Sequence, residues 1–385
     1  MRVGLSTIGL VPGTCGGIET YFRNLLEWLQ RVNVDDEYVL LCDKKNERAF
    51  HIANSRFSVQ SYNYAKPSPK WLVRGILRNL LNVDILVREL NGLDLDVVHH
   101  PFTVLRPAGL KTPSVLTFWD MQHEFYPEFF ADAEMRRRKA LYRPSAEEAA
   151  RVIVSSGFTR QTLVERYGIR AEKIEVIYTG YGPEYRLIED LDELAKIKAR
   201  YGLTEPFLYY PAAVWPHKNH KILLAAVRLL IDRHHFDGKL VLTGVATGSS
   251  GELAKEIARF GLSETVNVLG YLPYQELPYL YNLATMLVFP SLFEGFGIPV
   301  VEAMACGCPV ICANVTSLPE VIGEAGVMFD PHAVKDVAEK IWSVWRDPAQ
   351  QRRMREAGLE RAKLFNWQET AVKTVEVYKK AAGKA

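Results

Sequence analysis

Short runs of branched aliphatic residues alternate with helix-patterned stretches along this chain, and the alternation runs twice. In the first half the strand candidates are Arg2–Thr7, Tyr38–Cys42, Asp96–His100, Ser114–Phe118, Val152–Ser155 and Ile174–Tyr178. Several are unbroken apolar runs, the pattern of strands covered on both faces. Helical spacing fills the gaps at Ile18–Arg31, around Trp71–Leu90, at Ala133–Ala150 and at Gly157–Tyr167. The pattern restarts with strands at Phe207–Pro211, Lys239–Thr243, Val266–Leu269, Met286–Phe289 and Pro309–Cys312. Its helices fall at Asn219–His234, Gly251–Phe260, Gln275–Asn282, Ile298–Ala305, Ala333–Trp345 and Gln350–Lys363. Strand–helix alternation of this kind folds as parallel α/β layers.

A length of 385 residues suits two such domains. The seam is expected around Tyr178–Pro206, where TGYGPEY precedes a charged helix near Asp190–Tyr201. Two doubly wound sheets facing each other place a central cleft at the carboxyl ends of both strand sets. The last segment, from Asn366, reads as a helix with Ala371, Val375 and Tyr378 on its apolar face. A net charge of +2 excludes a whole-protein field for nucleic acid. No apolar run approaches the ~20 residues that span a bilayer. The start, MRVGLSTIGLVPGTCGG, reads as a first strand entering a glycine loop rather than a signal peptide, so a cytoplasmic location is expected. Cys15, Cys42, Cys306, Cys308 and Cys312 form no disulfide framework. The last three read as small buried thiols near a strand rather than as metal ligands.

Five constellations carry chemistry. Gly13-Thr14-Cys15-Gly16-Gly17 lies between the first strand and the first helix, where glycines let an anion approach the backbone. Glu294-Gly295-Phe296-Gly297 leads into a helix bearing Glu302, whose apolar neighbours imply a buried carboxylate in need of a partner. Two carboxylates so spaced can grip the hydroxyls of one polyol. Trp215-Pro216-His217-Lys218-Asn219 sets Lys218 at a helix start, placed for a diphosphate. Asp120 and His123 follow a strand end and are candidates to act on an incoming hydroxyl. Over Lys66–Leu90, Lys70, Arg74 and Arg78 recur every four residues among Trp71, Leu72, Ile76, Leu77, Leu80 and Leu81. That pattern fits either an amphipathic helix on an anionic membrane or an ordinary surface helix, and Arg136–Lys139 adds a second basic cluster. The Asp94/Asp96 and Asp190/Asp192 pairs read as structural, and no metal is invoked.

These residues resemble glycosyltransferase family 4, the retaining transferases of GT-B fold. The strongest part is SLFEGFGIPVVEAMACGCPVI, which carries the family's two glutamates with seven residues between them. GGIETY, HKN, LGYLPYQELPYLYNLA, SLPEVIGEAGVMFDP and FNWQETAVKTVEVY extend the likeness over nearly the whole chain. The resemblance implies an acceptor-binding domain, 1–182 with 366–385, and a nucleotide-sugar domain, 183–365. It implies that Glu302 holds the nucleotide ribose, and that Glu294 with Gly295, Phe296 and Gly297 orients the donor sugar. Lys218 would neutralise the leaving diphosphate, Gly16 and Gly17 would approach it, and Gly270, Tyr271 and Leu272 would lie against the base. Two positions depart from the family pattern. Ala213 falls in the stretch where many relatives carry an arginine before the lysine, and Trp119 stands where many have a histidine.

The expected activity is transfer of a hexose, mannose favoured, from a GDP- or UDP-linked sugar to a glycan or lipid-linked acceptor in surface polysaccharide or glycolipid synthesis. No metal is required in this reading, the partners include an anionic membrane surface but no nucleic acid, and the location is cytoplasmic, peripheral on the inner face of the plasma membrane. A non-catalytic sugar-nucleotide-binding membrane protein and a same-fold epimerase or soluble synthase are the alternatives.

Overall fold

The computed structural model describes residues 1–13, 16–32, 35–64, 68–81, 83–244 and 250–384. Thr14, Cys15 and Lys66, named in the motifs above, lie outside them. The chain forms two compact units, residues 1–180 with 366–385, and residues 181–365.

The first unit is built on β1 (Arg2–Ser6), β2 (Glu37–Asp43), β3 (Phe57–Tyr62), β4 (Val97–His100), β5 (Ser114–Phe118), β6 (Arg151–Val154) and β7 (Ile174–Val176). Every pairing is parallel, in the order β3-β2-β1-β4-β5-β6-β7. The apolar runs lie inside: Val3, Leu5, Leu40, Val97, Val115 and Ile153 share one core with Phe22, Leu25 and Leu29 of the helix Gly17–Val32. The closing helix, Trp367–Ala381, completes that core with Ala371, Val375 and Tyr378, the three residues the sequence put on its apolar face. Tyr378 Oη lies 2.8 Å from His99 Nδ1 on β4, and Thr370 donates to the Tyr178 carbonyl at 2.8 Å. Gly180 permits the helix to start there, because a Cβ at this position would stand 2.4 Å from the Trp367 nitrogen.

The second unit holds β8 (Phe207–Pro211), β9 (Lys239–Thr243), β10 (Val266–Gly270), β11 (Met286–Phe289), β12 (Val310–Ala313) and β13 (Val327–Phe329). They too pair in parallel, in the order β10-β9-β8-β11-β12-β13. Asp190 caps the helix Leu191–Arg200 by accepting from the Asp192 and Glu193 amides. Cys306, Cys308 and Cys312 are buried free thiols.

The structure corrects the sequence reading in three places. The sequence reading lacks strands β3 and β13; both sit at sheet edges, where β3 buries only Phe57 and Tyr62 at its two ends and β13 has three residues, so neither shows an apolar run. The single helix expected around Trp71–Leu90 is two, Pro69–Leu81 and Ile85–Asn91. Asp84 makes the break, because its carboxylate caps the second helix at the Leu86 amide (3.0 Å) and takes Arg74 through two bonds of 2.7 and 2.6 Å.

Candidate active site

In the second sheet the chain order reverses between β8 and β11. The loops leaving the carboxyl ends of two such strands diverge and leave a crevice. Both glutamates and Lys218 arrive at this reversal.

After β8 the chain makes one short turn, Pro216–Lys218, and enters the helix His220–His234 through Asn219 in a left-handed conformation (φ 56°). Asn219 fixes the turn by donating to the carbonyls of Pro290 (3.2 Å) and Pro331 (2.9 Å). The Tyr210 hydroxyl donates to the Lys218 carbonyl at 2.7 Å, and the Leu292 amide to the His217 carbonyl at 2.7 Å. The lysine turn is thus sewn to the loop after β11, which carries Glu294. Lys218 Nζ stands 2.6 Å from Glu294 Oε1, with both side chains largely withdrawn from solvent.

The Glu294 loop is shaped by Ser317, which opens the SLPEVI segment, and by Thr316 just before it. The Glu294 amide donates to Thr316 Oγ1 at 3.1 Å. Buried Ser317 donates to the carbonyls of Glu294 and Phe296, both at 2.9 Å. Gly297 then takes φ +101° and opens the helix Ile298–Ala305, with Pro299 in its first turn. A Cβ there would meet Leu318 Cδ2 at 2.7 Å, so both backbone and packing call for glycine. The helix start presents the positive end of its dipole beside Lys218 and Glu294.

Glu302 lies on that helix and is only 8% exposed. The partner its burial demanded is Tyr281, whose hydroxyl donates to Oε2 at 2.9 Å. Burial pushes the carboxyl up to about 7, against the lowering effect of the tyrosine hydrogen bond. Gly270 ends β10 with φ +73°, and its carbonyl accepts from the Gly244 amide at 2.8 Å. Tyr271 beyond it is exposed and Leu272 half-buried.

The family model described as glycosyl transferases group 1 matches residues 193–361, and the model for glycosyltransferase family 4 matches residues 15–185. The O-antigen chain mannosyltransferase B of Escherichia coli is 30% identical over 285 residues, 74% of each chain. The chain belongs to the group 1 glycosyltransferases. The serotype-specific mannosyltransferase WbdA of the same organism is 32% identical over 60% of this glycosyltransferase, which spans 29% of that longer protein. Anabaena Alr3699/HepE, solved in complex with UDP and glucose, superposes with a TM-score of 0.74 at 19% identity over 98% of each chain. The fold is GT-B.

The remaining sequence candidates of this glycosyltransferase lie in the first unit. Gly16 (φ +51°) precedes the helix Gly17–Val32, and a Cβ at Gly16 or Gly17 would meet nothing within 4 Å. Glu19, within GGIETY, reaches back so that the Gly13 amide donates to it at 2.7 Å. Asp120 is half-buried and accepts from the Gln122 amide at 3.0 Å. His123 is fully buried, its Nε2 3.2 Å from the Tyr167 hydroxyl and its ring edge-on to Tyr142. Burial pushes its imidazole down to about 4, so the ring is neutral at physiological pH. The structure sets His123 in the core rather than at a strand-end surface. Sequence reasoning missed Tyr281, Asn219, Thr316 and Ser317. All four stand in or beside motifs already singled out (LGYLPYQELPYLYNLA, HKN and SLPEVIGEAGVMFDP), but nothing local marks Tyr281 as the partner of Glu302.

Proposed function

We propose that this glycosyltransferase moves a hexose, mannose favoured, from a nucleoside-diphosphate sugar to a glycan or lipid-linked acceptor with retention at the anomeric carbon. The observation that carries the reading is the convergence of Lys218, Glu294 and the Gly297 helix start at the β8/β11 reversal. As the glycosidic bond to the diphosphate breaks, negative charge builds on the leaving phosphate. A preformed ammonium and a helix N-terminus stabilise that charge without a metal ion. Glu294 accepts hydrogen bonds from the donor sugar, Glu302 takes the ribose hydroxyls, and Gly270–Leu272 lies against the base. The preference for mannose leans on the E. coli relatives, and that for a sugar nucleotide also on the UDP and glucose held by the Anabaena protein. The name of one relative, the O-antigen chain mannosyltransferase B, supports a role in surface polysaccharide synthesis.

No helix among the described residues is long and apolar enough to cross a membrane. The helix Pro69–Leu81 nonetheless exposes Leu72, Val73, Ile76 and Leu80 beside Lys70 and Arg78. We place the enzyme peripherally on an anionic inner membrane face through this helix. In the second basic cluster, Arg137 and Arg138 both pair with Glu134, which spends much of their charge within the chain.

The test is transfer and hydrolysis with a panel of sugar nucleotides, with and without a chelator. GDP-mannose should be turned over equally in both conditions, and Glu302→Ala or Lys218→Ala should abolish turnover. Near-normal turnover in either variant would overturn the site assignment.

A further inference from the structure

Gly270–Leu272 and Tyr281 belong to one stretch of sequence, LGYLPYQELPYLYNLA. The stretch leaves β10 at Gly270, makes a single turn over Tyr274–Glu276 and becomes the helix Leu277–Leu283, with Pro278 in its first turn. That helix has seven residues, too few to hold by itself. It is fastened from outside instead. Asn282 accepts from the Ile188 amide at 3.0 Å and donates to the Arg186 carbonyl at 2.9 Å. Tyr279 donates to Glu193 at 2.9 Å, and Glu276 takes both Arg200 and Tyr201. Tyr281 is thus held at a fixed place, turned inward and 1% exposed.

Inside, Tyr281 meets two other buried tyrosines edge-on, Tyr209 at 5.1 Å and Tyr185 at 5.9 Å between ring centroids. Tyr209 Oη pairs with Thr243 Oγ1 at 2.9 Å, and the Tyr185 hydroxyl is buried with no partner within hydrogen-bond distance. The Tyr281 bond occupies Oε2 of Glu302 and leaves Oε1 to accept from a ligand. The ionisable groups around that carboxylate are Tyr281 and Tyr274 from this stretch, Glu184 and Tyr185 from the seam, Tyr209 from β8 and Cys306 just past its own helix. None of these is a cation. A buried carboxylate with no cation beside it stays charged only as far as hydrogen bonds support it. Burial and Glu184 work against the charge here, and the Tyr281 bond works for it.

Taking the ribose role of Glu302 as its basis, we propose that Tyr281 is a positioning residue for nucleotide binding: its hydroxyl pins Oε2, presents Oε1 to the ribose diol and keeps the carboxylate charged. The helix that carries it continues from Gly270–Leu272, so one fastened stretch sets both the base-side segment and the ribose carboxylate. Tyr281 acts through Glu302 alone, and its loss is felt in nucleotide affinity rather than in the chemical step.

The test is a double-mutant cycle read by calorimetry with GDP and UDP between pH 6 and 9, on the full chain, Tyr281→Phe, Glu302→Gln and the two combined. Tyr281→Phe keeps the ring and its contacts and removes one donor. It should bind the nucleotide that the wild type prefers at least five-fold more weakly at pH 7. The midpoint of the pH dependence should move up by about one unit, the worth of one hydrogen bond to a charged group. Transfer at saturating donor should keep kcat within about three-fold while KM rises. In the Glu302→Gln background the same change should alter affinity less than two-fold. A merely structural tyrosine would weaken binding equally in both backgrounds and leave the midpoint where it was; either result overturns the proposal. Should Tyr281→Phe melt early, the midpoint still decides, because lost packing does not move it. Glu302→Gln that weakens nucleotide binding while Tyr281→Phe does not strikes the proposal and spares the ribose role. Glu302→Gln that binds like the wild type strikes the ribose role, and the proposal with it.

Discussion

Lys218 Nζ and Glu294 Oε1 lie 2.6 Å apart, joining two loops whose residues are 76 positions apart in the chain. The pair is nearly buried, so each charge is expensive to leave alone. A diphosphate that takes Lys218 releases Glu294, and the freed carboxylate is then available to sugar hydroxyls. Glu294→Gln should therefore bind nucleoside diphosphate at least as tightly as the wild type while transfer falls about 100-fold or more. Lys218→Ala should lose both. Calorimetry with GDP and UDP beside steady-state transfer rates separates the two patterns.

Glu302 gives the site a pH dependence. Its folded-state pKa is raised, so between about 4.5 and about 7 the folded chain binds the extra proton and stability falls as pH rises. The cost above that window is on the order of 3 kcal/mol, and Glu302→Gln should remove it. The variant should melt with the wild type near pH 4.5 and above it at pH 8. Nucleotide binding has the opposite trend, since only the ionised carboxylate accepts from both ribose hydroxyls. Wild-type affinity should weaken as pH drops from 8 to 6, and the Gln variant should bind weakly at every pH.

Gly297→Ala should destabilise the second unit by about 1–3 kcal/mol, because the backbone is left-handed and Leu318 stands in the way. Adding Leu318→Ala relieves the clash but not the backbone strain. Urea unfolding should show the double variant no more stable than Gly297→Ala, since it also loses a buried leucine.

His123 tests whether position along the chain or burial decides function. His123→Phe keeps an aromatic ring in the core and should retain transfer within about three-fold, whereas His123→Ala should cost about 2–4 kcal/mol of stability. A drop of 100-fold in kcat for His123→Phe with unchanged melting would restore a chemical role.

Leu72→Ser/Ile76→Ser should cut sedimentation with anionic vesicles several-fold at low salt while leaving melting unchanged, because these side chains are already exposed. Raising salt should weaken wild-type binding through its electrostatic part. Equal sedimentation of variant and wild type would remove the helix from the membrane contact.

How much of this was legible follows from the range of each interaction. The strand–helix alternation, the helix Ile298–Ala305 and the buried face of Trp367–Ala381 are written in local apolar periodicity, which burial then satisfies. The buried state of Glu302 was readable too, from Val300, Val301, Ala303 and Met304 around it. Its partner was not, because Tyr281 reaches it from another helix, and no local pattern records a contact across 21 residues. Edge strand β13 has only three residues, and β3 buries only Phe57 and Tyr62 at its ends, so neither carries a readable apolar pattern. His123 looked like a strand-end residue, and only packing against Tyr142 and Tyr167 showed which way its ring turns.

By itself the sequence determined the architecture and the identity of the charged residues, since periodicity and residue chemistry act over a few positions. The tertiary structure decided the order of the strands, and with it the reversal between β8 and β11. Sheet pairing is a long-range choice, and it sets the loops of β8 and β11 side by side so that Lys218 meets Glu294.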